Sequence, residues 1–295
     1  MSEQQSSSST SLSSPGDELI DQKIGYISFL MSRLVSCFDK SSTLPTAQNY
    51  ESMRSALFKN FNQFDGSERM QSEWVDMIYS HAVERGLYNT MGNLMKEQLK
   101  ENVGNLNENV IIALKKKLLT KCQIGFKEEL VIDEGKDVKL QKFEYMRKRS
   151  NNIKFIAKLL SNDLISSKIG AIIIESLFKP PSPTNLKLLT MFVPLYENME
   201  EKLVNLLISK INLIVKADDS NQVTDELRFD LMNLIDHTNP KKLNTLDRQL
   251  ETLQLELPII SLNQQIIEWE ALYAHDDEEF EQELLEKALE EDDQH

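Results

Sequence analysis

Apolar residues along this chain recur three and four positions apart, and alternation with period two is hard to find. Ile24, Ile27, Leu30, Met31 and Leu34 form one such stripe, and Met70, Trp74, Met77, Ile78 and Ala82 form another. Leu87, Met91, Leu94, Met95 and Leu99 follow, then Leu114, Leu118, Leu119, Cys122 and Phe126, and later Leu203, Leu206, Leu207, Ile211 and Ile214. A period near 3.6 places these residues on one side of a helix, so each stripe predicts an amphipathic helix that needs a partner.

The stripes are separated by "SSTLP", "FDGSE", "NVGNLN", "IDEGKD", "KPPSPT", "ADDSNQ" and "HTNPKK". Short connections between amphipathic helices force neighbours to lie antiparallel, so the expected fold is all-α, a stack of helical hairpins of the HEAT type. No clean repeat motif is visible, but a helical hairpin repeat needs only apolar faces toward its neighbours. Pro180, Pro181 and Pro183 forbid a continuous helix through "KPPSPT", which reads as a loop between hairpins because the texture is the same on both sides.

Composition adds the ends of the domain. Residues 1–16 hold eight serines and almost nothing apolar, and are expected to be a disordered tail. From Asp17 the chain turns to Leu, Ile, Met, Lys and Glu, with only nine glycines and eight prolines in 295 residues, a helix-forming mixture. The expected domain covers residues 17–274, followed by an acidic tail over 275–295. No run approaches the roughly eighteen apolar residues that a membrane helix needs, and the N-terminus lacks the basic and apolar regions of a leader. The expected location is the cytoplasm, with the nucleus an alternative.

Net charge is −14, which argues against a protein whose main task is sheathing nucleic acid. That total hides a split. Ile111 to Leu160 carries thirteen Lys or Arg against six Asp or Glu, whereas Ile267 to the C-terminus carries one against thirteen. Within the basic stretch Lys115, Lys116, Lys117, Lys121, Arg147, Lys148, Arg149, Lys154 and Lys158 are the candidates for contacting RNA phosphates. The competing reading is a solvated helix face: Ile153, Phe155, Ile156, Leu159 and Leu160 cover two adjoining sides of a helix, and Lys154 and Lys158 share a third. In the acidic tail Phe280, Leu284, Leu285 and Leu289 are spaced to form a short amphipathic helix for a basic partner.

Chemistry is hard to locate. The common phosphate-cradling, nucleophile and zinc motifs are missing, and the two cysteines, Cys37 and Cys122, stand at no ligand spacing from the four histidines. Cys122 falls on its helix's apolar stripe and reads as core. No cofactor, metal or catalytic residue is expected, and the chain reads as a scaffold, which needs only surfaces.

Two adjacent segments do carry a resemblance. "KKKLLTKCQIGFKEE" and "RKRSNNIKFIAKLL" resemble two signature helices of the middle domain of eukaryotic translation initiation factor 4G, through Leu118, Leu119, Cys122, Gln123 and Phe126, then Arg147, Arg149, Asn152, Ile153, Lys154, Phe155, Ile156 and Leu159. Upstream "VDMIYSHAVERGLYNTMGNLMKEQL" is similar to a helix, turn and helix of that family, with Met91 and Gly92 where an aromatic residue and Ala are usual, and downstream "ELRFDLMNLIDH" is similar to its late helix. The resemblance covers residues 20 to 242. It implies a crescent of about five HEAT-type hairpins and a stand-alone, non-enzymatic translation initiation adaptor that binds and stimulates a DEAD-box RNA helicase of the factor 4A type. By position, the implied helicase contacts are Tyr50, Met53 and Leu57 toward one end and Arg228, Phe229, Asn233 and Asp236 toward the other. The Tyr-x-x-x-x-Leu-apolar motif that holds the cap-binding protein is missing. The alternatives are a module that tethers poly(A)-binding protein or decay and splicing factors without activating a helicase, and a helical hydrolase with a site assembled from distant residues.

Overall fold

The structure is a computed structural model that describes residues 15–36, 47–63, 66–101, 103, 105–133, 135–179, 181–216 and 223–238. These residues form α1 (Pro15–Ser36), α2 (Ala47–Asn62), α3 (Glu68–Val83), α4 (Tyr88–Leu99), α5 (Glu108–Lys127), α6 (Val138–Ser161), α7 (Ser167–Leu177), α8 (Pro183–Phe192), α9 (Glu201–Lys216) and α10 (Asp225–Thr238), with a 3-10 turn at Val193–Leu195. There is no strand among them, and the fold is all-α as expected. The serine-rich stretch up to Ser14, the break "ADDSNQ", residues 239–274 and the acidic tail with Phe280, Leu284, Leu285 and Leu289 lie outside the described residues.

Local chemistry explains several boundaries. Asp137 caps α6 by accepting from the backbone N–H of Lys139 at 2.8 Å and of Leu140 at 3.3 Å. The stretch "KPPSPT" is only half a loop. Ser182 Oγ accepts from the Asn185 N–H at 3.2 Å and Pro183 is the first residue of α8, where its missing N–H costs nothing. The turn between α3 and α4 rests on Gly86, whose φ of +73° lets the Leu87 N–H reach back to the His81 carbonyl at 3.1 Å. The neighbouring carbonyls of Val83 and Glu84 accept from Asn151 Nδ2 at 2.9 Å and Arg147 Nη1 at 2.6 Å.

The chain divides into two compact units, the described parts of Met1–Ser80 with Leu94–Lys121, and those of His81–Asn93 with Cys122–His295. In the first unit α1 packs along α2, and Ile27, Met31, Leu34, Leu57, Phe58 and Phe61 are all buried. Phe61 meets Trp74 with ring centroids 4.9 Å apart, and Trp74 Nε1 donates to Gln98 Oε1 at 2.9 Å in the buried interior. In the second unit α6 packs against α7 and α8, and α10 against α8 and α9. Gly170 allows α7 to approach Tyr196 closely, since a Cβ at that position would stand 2.6 Å from the tyrosine ring.

Polar ties join several helices to the next but one. In the first unit Arg69 of α3 pairs with Asp21 of α1, Arg54 of α2 with Glu97 of α4 at 2.8 Å, and Lys117 and Lys121 of α5 with Ser72 and Asp76 of α3 at 3.0 and 2.6 Å. In the second, Asn162 at the end of α6 donates to the Gly92 carbonyl of α4 at 2.9 Å, Arg149 of α6 donates to Asn185 of α8 at 3.0 Å, and Lys187 of α8 pairs with Asp230 of α10 at 2.9 Å.

Most of the predicted stripe residues are core: Leu30, Met70, Ile78, Met91, Leu94, Leu114, Leu118 and Leu207 are buried. Leu206 is not, at 37% exposed. The buried line of α9 is Leu203, Leu207 and Ile211, one residue every four, which turns Leu206 outward.

Candidate functional site

α10 is built to be held by one side only. Thr224 Oγ1 caps it by accepting from the Leu227 N–H at 3.3 Å, and Asp225 and Glu226 in the first turn favour the helix dipole. Its inward line is Leu227, Leu231 and Leu234, all buried. Phe229 follows Leu227 by two residues, about 200° around the helix, and is 64% exposed. Met232, Asn233 and Asp236 are exposed with it, at the spacing i, i+3, i+4 and i+7 that shares one face. The sequence places Phe229 at the margin of an apolar face. The structure puts it opposite the buried line, with a largely uncovered aromatic ring. Met232, at 53% exposed, belongs to the same face and carries no sequence signal beyond its spacing from Phe229. Arg228 is half-buried beside them.

The α2 candidates are arranged differently. Leu57 is fully buried and serves the core, so it presents no surface to a partner. Tyr50 and Met53 are half-buried, and the Arg54 guanidinium lies 6.0 Å from the Tyr50 ring while pairing with Glu51 and Glu97.

Most of the basic candidates have structural duties. Lys117 and Lys121 pair within the first unit, and Arg147 and Arg149 tie α6 to other parts of the second. Between Asn152 and Asn162 every residue except Lys154 and Lys158 is buried, so this end of α6 is covered on nearly all sides. Lys154 sits half-buried with its ammonium 5.6 Å from the Tyr88 ring centroid, and burial pushes its pKa down. The Lys158 stem lies against Gly92, where a Cβ would come within 2.6 Å of its Cγ. Neither lysine stands on a solvated helix face. Lys116 and Lys148 are exposed and Lys115 half-buried. The two groups of cations belong to different compact units, with Lys115 to Lys121 in the first and Arg147 to Lys158 in the second.

Nucleophilic chemistry has no footing at Cys122. Its thiol is buried, and desolvation pushes its pKa up to about 12, which leaves it protonated at any physiological pH. Asn152 Nδ2 donates to the Cys122 carbonyl at 3.0 Å, so these two positions of the resemblance meet as interior structure, whereas Gln123 is exposed. Among the described residues no group of three His, Cys, Asp or Glu could hold a metal ion, and no helix is long and apolar enough to cross a membrane. The sequence matches no protein-family model and is not significantly similar to any curated protein.

Proposed function

We propose that this protein is a non-enzymatic adaptor that docks another protein on the outer face of α10, and that the partner is a DEAD-box RNA helicase of the translation machinery. The observation that carries the reading is Phe229, a large aromatic ring 64% exposed on a helix whose buried line is Leu227, Leu231 and Leu234 on the other side. An exposed aromatic flanked by Met232 and rimmed by Asn233 and Asp236 has the composition of an interface centre, apolar within and polar around. The helicase is named because Arg228, Phe229, Asn233 and Asp236 occupy the positions that the resemblance to the initiation factor 4G middle domain implies. The next-but-one ties between helices support the finer reading of the fold as a solenoid of HEAT-type hairpins, since stacked hairpins place alternate helices side by side.

As a mechanism, an adaptor that binds the closed arrangement of the helicase lobes better than the open one shifts the population toward the active state and supplies no chemistry of its own. Of the α2 candidates for the same partner, Tyr50 and Met53 have surface to offer, and Leu57 does not. Accessory RNA contacts fall to Lys115 and Lys116 in the first unit and, separately, to Lys148 in the second, and the proposed location is the cytoplasm.

The test is RNA-stimulated ATP hydrolysis by a DEAD-box initiation helicase with and without the full chain at saturating concentration. Stimulation that Phe229→Ala with Asp236→Lys abolishes, with helical circular dichroism intact, is the expected result. Binding without stimulation moves the function to tethering of other mRNA-processing proteins. Absence of both overturns the helicase reading.

A further inference from the structure

Solenoid-type stacks need something to cover the outer surface of the last helix, because each unit buries its apolar face only against a neighbour. α10 is the last described helix, and Phe229 and Met232 are exposed on it. α9, which packs on α10, adds Leu213 at 69% exposed. Single exposed apolar residues are ordinary, but here two share one helix face and a third lies on the adjoining helix.

The chain that continues from Thr238 holds a matching occupant. After Pro258 come Ile259, Leu262, Ile266, Trp269 and Tyr273, at successive spacings of three, four, three and four, which is the pattern of an apolar helix stripe. Only Glu268 and Glu270 carry charge between Ile259 and Tyr273. Residues 239–258 supply the connection. Running back along α10, whose fourteen residues measure about 21 Å, needs far less than the extended reach of that connection, at about 3.3 Å per residue. Such a tether holds its segment near the face at an effective concentration on the order of millimolar.

We propose that residues 259–273 fold back onto the outer face of α10 and cover Phe229 and Met232, so that a partner must displace them. The regulatory half rests on the reading of this face as the partner's docking surface, whereas the intramolecular contact stands without it.

The contact is tested on the full chain alone, by hydrogen exchange with mass spectrometry. Amides of residues 259–273 are expected to exchange roughly tenfold more slowly than the same amides in a Phe229→Asp/Met232→Asp variant. Both substitutions fall on exposed positions, and circular dichroism checks that the helices persist. Equal exchange in the two proteins, whether fast or slow, overturns the proposal, since fast exchange means no cover and persistent protection means a cover elsewhere. The regulatory half is read separately in the ATPase assay, where the full chain with Ile266→Asp and Trp269→Asp is expected to reach half-maximal stimulation at a several-fold lower concentration. An unchanged concentration overturns that half. A helicase that never responds removes the adaptor reading while leaving the exchange result intact.

Discussion

The Trp74–Gln98 pair gives the sharpest test of how the first unit is held together. Both side chains are fully buried, the indole N–H donates to Gln98 Oε1 at 2.9 Å, and Gln98 Nε2 has no hydrogen-bond partner. Trp74→Phe strands the amide oxygen beside an amide nitrogen already without a partner, which costs about 1–3 kcal/mol. The smaller ring next to Phe61 adds on the order of 1 kcal/mol for the space left behind. Gln98→Leu strands the indole N–H but also removes the unpartnered nitrogen, so its cost is expected at the lower end, about 1 kcal/mol. The double variant strands nothing, since both polar partners are gone. Its destabilisation is therefore expected to fall short of the sum of the single variants by about 1–2 kcal/mol, the coupling of a buried contact. Urea unfolding of the four proteins, followed by far-ultraviolet circular dichroism, measures this directly. Costs that add to within about 0.5 kcal/mol would refute the argument that an unsatisfied buried group, not lost volume, dominates here.

Three further outcomes are expected. Burial first, and then the charge of Arg85, hold the pKa of His81 below the usual 6.5 against the opposing pull of Glu84. As pH falls below 6.5 the unfolded chain takes up a proton that the native state refuses, so stability is full above that value and declines below it; the slope in urea midpoint between neutral pH and about pH 5.5 should flatten in His81→Phe. Gly170→Ala places a Cβ 2.6 Å from the Tyr196 ring, which is itself buried against Phe192, and should cost about 1–3 kcal/mol, whereas Gly25→Ala meets nothing within 4 Å and should stabilise by about 0.5–1 kcal/mol. Thermal melts separate the two signs. On α10, Leu231→Ala should cost about 2–5 kcal/mol and Phe229→Ala less than about 0.5 kcal/mol, and equal costs would show that the Phe229 ring is used by the fold itself.

Helices were legible wherever one apolar stripe dominated, and the core positions of α1, α3, α4 and α5 follow from spacing alone because a helix with a single buried side must repeat near every 3.6 residues. α6 resisted that reading. From Asn152 to Asn162 it is covered on nearly all sides, so Lys154 and Lys158 look in sequence like a wet face and are instead half-buried, one over Tyr88 and one against Gly92. The duties of Arg147 and Arg149 were equally invisible, since their partners, the Glu84 carbonyl and Asn185, are tens of residues away in the chain. α10 shows the same limit from the other direction. Sequence periodicity offers Phe229, Met232 and Ile235 as an apolar side as readily as Leu227, Leu231 and Leu234, and only the packing of α8 and α9 selects the second. The chain by itself determined an all-α fold, its helix-forming texture and most of its buried stripes, because these depend on local spacing. Which charged residues are tied down and which aromatic faces outward was decided by tertiary structure alone, because both depend on which surfaces neighbouring helices cover.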